Sequence, residues 1–208
     1  MSQAESGLLE WLSKGYRGEM DYMAKHGTRR TRPAELVPGT LRVISARMNY
    51  MPPARDGWQV VQDGDSAFIS RYALGRDCHQ VPSGHLQELA DKITVETGHF
   101  SCHITDSAPV MEVEWMHKSG LGWCGEHTLL LSGEAGSMFF LDELYTDLPL
   151  PIDNPVGNYC GCCTKCIDIR PTQEGDGCVA RAPGRWDDVS SLVREHVRGH
   201  SLYRQEGI

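Results

Sequence analysis

The chain reads as an α+β protein, and three observations say so. Apolar faces at helical spacing are interleaved along the chain with runs of β-branched and aromatic residues. Forty per cent of the 208 residues are apolar, which suffices for a core and excludes wholesale disorder. Eleven prolines and 22 glycines break the pattern often, so the elements are short, and no internal repeat is visible.

Ser2 and Glu5 have the spacing of a capping box, and Leu8, Leu9 and Leu12 share one face of the helix that follows, which ends near Gly15. A second amphipathic piece runs from Glu19 to His26 and stops at Gly27. Thr28-Arg29-Arg30-Thr31-Arg32-Pro33 is a short basic segment before a proline. Thr40 to Tyr50 mixes β-branched and polar residues and reads as a strand, closed by Pro52-Pro53. Asp56 to Asp65 reads as a loop or hairpin tip, and Ala67 to Tyr72 as a strand or a turn into a helix. Leu86, Leu89, Ala90 and Ile93 mark a helix from about Gly84 to Thr97, and Phe100 to Ile104 is strand-like. Pro109 takes the first position of a helix that runs to Gly120. Thr128 to Leu131 and Met138 to Leu144 read as a strand pair around a glycine-containing turn. Pro149, Pro151 and Pro155 punctuate a loop leading to a cysteine cluster, and Val189 to His196 forms one more helix.

Twenty basic and 28 acidic side chains give a net charge of -8, which argues against nucleic-acid binding by bulk charge alone but allows a local basic patch. No apolar run approaches the roughly 18 residues of a membrane helix. Met1 to Glu10 carries two acids and no apolar stretch of a secretory signal. A reducing, cytoplasmic setting is therefore expected, and a disulfide framework loses weight.

Four of the eight cysteines fall between Cys160 and Cys166. Cys160, Cys163 and Cys166 give C-x2-C-x2-C, followed by three residues, Arg170 and Pro171. Bacterial ferredoxins use this spacing with a cysteine where Arg170 stands, so that three thiolates converge on one side of a cluster. Cys162 breaks the interval and is expected to point elsewhere. A zinc site with Cys178 as fourth ligand is the second reading of the cluster, and unliganded thiols the third.

Asp106 precedes the proline-started helix. It is read either as an N-cap, its oxygen accepting an orphan N–H, or as a buried proton donor. His79, His103, His117 and His127 are too spread for a local ligand motif. Gly120-Leu121-Gly122-Trp123 is a helix stop followed by a packing aromatic. Arg29, Arg30 and Arg32 read as a solvated loop or a hold for an anion.

Several stretches together resemble one family, the bacterial epoxyqueuosine reductases. They are Gly18-Glu19-Met20-Asp21-Tyr22-Met23, Arg42-Val43-Ile44-Ser45, Ser70-Arg71-Tyr72-Ala73-Leu74-Gly75-Arg76-Asp77, Asp106-Ser107-Ala108-Pro109-Val110-Met111-Glu112, Gly120-Leu121-Gly122-Trp123, Gly136-Ser137-Met138-Phe139-Phe140-Leu141 and the cysteine run. They recur in the family's order across about residues 8–172.

The resemblance implies reduction of epoxyqueuosine to queuosine at the wobble position of tRNA. It implies cobalamin fed with electrons by 4Fe–4S clusters, and an external electron donor. It implies a nitroreductase-like cobalamin-binding α+β domain over residues 1–155 and a partial ferredoxin-like segment over 156–208. By motif, Asp106 is the proton donor, and Arg30, Ser70, Asp106, His127, Leu130 and Leu141 contact cobalamin. Cys160, Cys163 and Cys166 are carried over as cluster ligands.

The chain also departs from the family's pattern. It starts late and stops early, and Arg170 and Asp188 stand where ligands of a second cluster would be. Glu126 replaces the usual lysine, and Cys78 a tyrosine. The expectation is a member truncated at both ends, with one cluster at most and weak tRNA binding on its own. A non-catalytic descendant that binds cobalamin or a cluster, or a zinc-stabilised domain, is the alternative.

Overall fold

A computed structural model describes residues 3–51, 56–74, 80–105 and 107–168. Ser2, Pro52, Pro53, Cys78, His79, Asp106, Arg170, Cys178 and the expected helix Val189 to His196 lie outside the described residues.

The centre is a three-stranded antiparallel sheet of β1 (Arg42–Asn49), β2 (Ser101–Ile104) and β5 (Phe139–Thr146), in the order β1-β5-β2. Strand β5 reads Phe-Phe-Leu-Asp-Glu-Leu-Tyr-Thr, and six of its eight residues are buried. So apolar a strand is stable only where both edges are paired and both faces covered. Its edges pair from Arg42↔Thr146 to Asn49↔Phe139 on one side and from Ser101↔Thr146 to Ile104↔Glu143 on the other.

Side chains alternate between the two faces. On one face Leu144, Ile44 and Ala46 pack on Leu86, Ala90 and Ile93 of α5 (Gln80–Thr97). Those three helix residues are spaced four and three apart, one stripe of a helix. Helix α5 ends at Gly98, whose φ of 74° is the left-handed terminator that glycine supplies. On the other face Phe139 packs with Met116 of α6 (Glu112–Lys118) and with Leu130, flanked by Val113, Leu121, Ala135 and Leu141. A small hairpin, β3 (Trp123–Cys124) and β4 (Leu130–Leu131), closes that side.

The N-terminal elements are α1 (Gln3–Ser13), α2 (Tyr22–Lys25) and α3 (Pro33–Leu36). Leu8, Trp11 and Met20 form their core, with Leu12, Tyr16, Met23 and Met111 against it. A bidentate ion pair clamps this unit. Arg32 places Nη2 2.6 Å and Nε 2.9 Å from the two carboxylate oxygens of buried Glu5, and Nη1 2.8 Å from Glu35.

Several expectations are corrected. Asp56 to Asp65 is not a hairpin tip: it holds α4 (Gly57–Gln62), with the Asp56 carboxylate accepting the Trp58 N–H at 3.1 Å as its N-cap. Of the two readings of Ala67 to Tyr72, the strand is not formed, and a 3-10 turn over Arg71–Ala73 is. The piece from Glu19 to His26 shrinks to the single turn of α2. Helix α5 begins at Gln80 rather than Gly84, because Pro82 is tolerated in a first turn. Helix α6 begins at Glu112 with Met111 as its N-cap, so the expected capping role of Asp106 at this helix does not hold. The expected strand pair is not formed either, since β4 pairs with β3 while β5 pairs with β1 and β2. An isolated bridge, Ser132↔Gly136, closes the turn between them. The basic segment is not a solvated loop: Arg30 is buried, with Nη2 donating to the Tyr22 carbonyl at 2.9 Å.

The hydrogen bond from Arg32 holds the Glu5 carboxyl below its ordinary value of 4.5. Unfolded chains take up this proton at a higher pH than folded ones, so stability is lost as pH falls below 4.5 and through the folded value. Glu5→Gln is expected to lower the urea midpoint at pH 7 and to flatten its decline towards acid. Midpoints measured from pH 7 to pH 3 with the same slope as the parent would contradict the clamp.

Candidate cofactor site at the cysteine segment and its hairpin

The turn between β3 and β4 is tightly closed. The Gly125 N–H donates to the Leu129 carbonyl at 2.8 Å, and the Thr128 N–H to the Gly125 carbonyl at 2.9 Å. His127 sits in this turn, its Nδ1 accepting the Leu129 N–H at 3.2 Å. In the neutral ring that bond puts the proton on Nε2 and fixes the ring's orientation. Thr128 has φ 70°, the one left-handed non-glycine among the described residues. For a β-branched residue this is strained, and such strain collects at functional sites.

The motif glycines have steric work here. A Cβ on Gly125 would lie 2.7 Å from the His127 ring, and one on Gly122 would strike the Leu131 carbonyl. At Gly120, with φ 75°, a Cβ would lie 2.8 Å from the Asn154 carbonyl. The proline-punctuated segment thus presses on the end of α6, and the Leu150 carbonyl accepts Arg42 Nε at 2.7 Å. Further along, the Tyr159 ring meets the Trp123 ring edge-on, with centroids 5.1 Å apart. That contact delivers Cys160 to the hairpin. A cavity of about 540 Å³ opens beside it, lined in part by Arg47, Trp123, Glu134, Val156 and Tyr159.

The cysteine segment is itself ordered by local bonds. Asn158 Oδ1 accepts the Cys160 N–H at 2.9 Å, and the Cys160 carbonyl accepts the Cys163 N–H at 3.1 Å across a turn with Gly161 at φ 56°. Cys166 lies in α7 (Lys165–Asp168), before which Thr164 Oγ1 donates to Asp168 at 2.8 Å. Cys160, Cys163 and Cys166 carry free thiols. Burial raises the Cys166 thiol, against a backbone hydrogen bond, and Cys160, Cys163 and Glu126 add to the rise. Desolvation pushes the Cys124 thiol up to about 11 although the residue as a whole is exposed, and Cys160, Glu114 and Glu126 contribute.

Among the described residues no three His, Cys, Asp or Glu side chains converge on a single-ion position. The turn nonetheless sets three free thiols as electrostatic neighbours on one short segment, and a polynuclear cluster needs a wider seat than one ion. Three free thiols at this sequence spacing are the donor chemistry that an iron–sulfur cluster takes.

The residues carried over as cobalamin contacts are only partly gathered. Leu130 and Leu141 share one core cluster, and His127 lies in the turn that leads to Leu130. Leu130 is only 2 % exposed, so its side chain serves the core. Arg30 lies in the N-terminal unit, its guanidinium over the Tyr22 ring at 5.9 Å and its Nε buried without a hydrogen-bond partner. Desolvation lowers its pKa, and nearby Glu112 and Tyr22 oppose the shift. Ser70 is exposed at the position before the 3-10 turn, with no capping bond from its hydroxyl. Sequence reasoning missed the Trp123–Tyr159 contact and the burial of a Glu126 oxygen. An aromatic directly before the cysteine run was the signal for the first.

The family model described as epoxyqueuosine reductase QueG, DUF1730, matches residues 30–107. The chain is 52% identical over 207 residues to the curated epoxyqueuosine reductase of Alicycliphilus denitrificans, which covers 95% of this chain and 56% of that protein. It is 47% identical over 173 residues to that of Escherichia coli, covering 83% and 46%. The chain is a relative of the epoxyqueuosine reductases. It spans about half the length of the curated relatives it matches.

The fold agrees with solved members. The Streptococcus thermophilus epoxyqueuosine reductase aligns with a TM-score of 0.69 at 25% identity, over 81% of this chain and 45% of that one. An epoxyqueuosine reductase solved with an epoxyqueuosine-modified tRNA-Tyr stem loop aligns at 0.68 and 21% identity, over 81% and 44%. The Bacillus subtilis enzyme, solved with its catalytic aspartate loop swung out of the active site, aligns at 0.65 and 22% identity, over 83% and 45%.

Because Thr128 is held at φ 70°, Thr128→Gly relieves strain at the turn that carries His127. The substitution is expected to stabilise the protein by about 1 kcal/mol, the strain relieved slightly exceeding the added unfolded-state entropy. Urea unfolding reads this directly, and a destabilised variant would contradict it.

Proposed function

We propose that this chain carries the cobalamin-binding and cluster-binding parts of an epoxyqueuosine reductase. On this reading it reduces epoxyqueuosine to queuosine at the wobble position of tRNA, in the cytoplasm, with electrons from an external donor. The observation that carries the reading is 52% identity to a curated epoxyqueuosine reductase over 95% of the chain. Residues 1–155 are proposed as the nitroreductase-like cobalamin-binding part and 156–208 as a partial ferredoxin-like segment. No helix among the described residues is long and apolar enough to cross a membrane.

Cobalamin, when bound, supplies a strongly reducing cobalt centre, and a 4Fe–4S cluster on Cys160, Cys163 and Cys166 supplies single electrons. The chain's own residues bind, orient and donate. The unpartnered Arg30 N–H suits a carbonyl or phosphate acceptor on the cofactor. Its lack of a partner within the protein is a cost that such a contact removes. The His127 ring, held by Leu129, presents a fixed edge, and Ser70 offers an exposed hydroxyl. Leu141 gives an apolar wall, while Leu130 is limited to its backbone because its side chain is in the core.

Removing an epoxide oxygen as water, leaving a double bond, consumes two electrons and two protons. Breaking the C–O bond without a proton leaves an alkoxide, a poor leaving group, so an acid in place lowers the barrier. Asp106 is the proposed donor. It follows β2 by two positions in the sequence. A carboxyl shielded from water by a bound corrin and the base would hold its proton towards neutral pH. The tRNA is held weakly by this stretch: net charge is -8 and Arg32 is committed to Glu5 and Glu35, so few phosphates are neutralised.

The test is Asp106→Asn, assayed anaerobically with cobalamin on a tRNA stem loop bearing epoxyqueuosine, with queuosine counted by nucleoside mass spectrometry. Met111, not Asp106, stands at the N-cap position of helix α6. Turnover should drop by about 10²-fold or more with thermal stability and cobalamin affinity retained. Turnover close to the parent's would end the assignment.

A further inference from the structure

We propose that His103 and Asp142 are a positioning pair that anchors the turn from Thr105 to Ala108, the stretch of sequence that contains Asp106. The inference rests on the reading of Asp106 as proton donor and adds the two residues that hold its turn in place.

Strand β2 has only four residues and lies at an edge of the sheet. Its ladder with β5 ends at Ile104↔Glu143, so at the next level, where Asp142 stands, backbone pairing to β2 has stopped. A side-chain bond takes over there. His103 Nε2 lies 3.3 Å from Asp142 Oδ1, and a ring nitrogen that faces a carboxylate oxygen carries the hydrogen and donates the bond. The two residues are diagonal neighbours on one face, since His103 is the register partner of Leu144 and Asp142 precedes Leu144 by two. Their side chains are 8% and 10% exposed.

That face is otherwise apolar. Leu144, Ile44 and Ala46 meet Leu86, Ala90 and Ile93 of α5 there. A carboxylate and an imidazole in such a layer carry a desolvation cost that apolar side chains of similar size avoid. What a hydrogen bond adds is direction. It holds one distance and angle, whereas apolar contacts tolerate sliding.

The place where direction matters is the turn. The Ala108 N–H donates to the Thr105 carbonyl at 2.9 Å, Thr105 Oγ1 and Ser107 Oγ are 2.6 Å apart, and the Val110 N–H donates to the Ala108 carbonyl at 2.9 Å. Among the described residues, the hydrogen bonds of Thr105, Ser107 and Ala108 all run within this segment, and none ties it to the sheet or to a helix. Its anchors are therefore its two ends. Downstream, Val110 is buried and Met111 packs on the N-terminal core. Upstream, the chain enters from β2, two residues after His103, and the bond to Asp142 fixes that entry. A general acid works only within hydrogen-bond reach of the atom it protonates, and a misplacement of about 1 Å costs up to roughly 10²-fold in rate.

The experiment is amide hydrogen exchange on the full chain, comparing the parent with His103→Gln and with a double variant carrying His103→Leu and Asp142→Leu. The double variant strands neither member of the pair as a buried polar group without the other. His103→Gln keeps an N–H donor at similar reach. Exchange at Ala108, read relative to Ala90 in α5, should be about tenfold faster in the double variant and within about twofold of the parent in His103→Gln. On a stem loop bearing epoxyqueuosine, the double variant should lose about tenfold or more in kcat with KM nearly unchanged, and His103→Gln should keep both. A ratio of Ala108 to Ala90 exchange equal to the parent's in the double variant would overturn the inference, and so would a His103→Gln variant that exchanges as fast as the double one. A rise in KM with kcat retained would also overturn it, because a displaced acid slows the chemical step. A parent whose turnover survives Asp106→Asn would overturn the proton-donor reading, an outcome distinct from all of these.

Discussion

Strand β5 has to be satisfied on both edges and both faces, and the rest of the molecule follows from that requirement. Its eight residues include only two with ionisable carboxylates, and both are buried. Pairing with β1 and β2 uses its backbone groups. Helix α5 covers the Leu144 face, and α6 with β4 covers the Phe139 face. Because α6 must end where the hairpin begins, Gly120 and Gly122 become obligatory, and the turn carrying His127 is pinned above the sheet. The cysteine segment is then placed by one aromatic contact, Tyr159 on Trp123. The candidate redox site is therefore a consequence of how the central strand is buried.

Elements with a local physical signature were legible in the sequence. Arg42–Asn49 carries strand composition between turn residues, and α5 carries its apolar stripe at Leu86, Ala90 and Ile93. The cysteine interval and its glycine turn were legible too, since ligand spacing is local. Helix α4 was not, because Trp58 and Val61 are both exposed and no apolar stripe marks it; the Asp56 cap was its one signal. The partner of β5 was not legible either. The chain from Thr128 to Leu144 alternates as a hairpin would, and only the competition between β3 and β1 for partners decides otherwise. The basic segment misled for the same reason. Arg32 meets its acid 27 positions earlier in the chain, at a distance no local pattern encodes.

The handling of charge separates structural from chemical roles. Arg32 is saturated by two carboxylates and His103 Nε2 lies 3.3 Å from Asp142, so these groups hold the scaffold. Arg30 Nε and Glu126 Oε2 are buried and unsatisfied, one in the N-terminal unit and one in the turn after β3. The buried indole N–H groups of Trp11, Trp115 and Trp123 are likewise without partners, so an unsatisfied group alone does not mark a site.

The central claim is that three particular thiols, Cys160, Cys163 and Cys166, hold one cluster. Iron content and visible absorption after anaerobic reconstitution of the full chain, compared across single serine substitutions, test it most directly. The account predicts loss of the cluster in Cys160→Ser, Cys163→Ser and Cys166→Ser and its retention in Cys162→Ser, because Cys162 breaks the two-residue interval that the other three keep. Equal loss in all four variants, or a cluster that survives each of the first three, would contradict it.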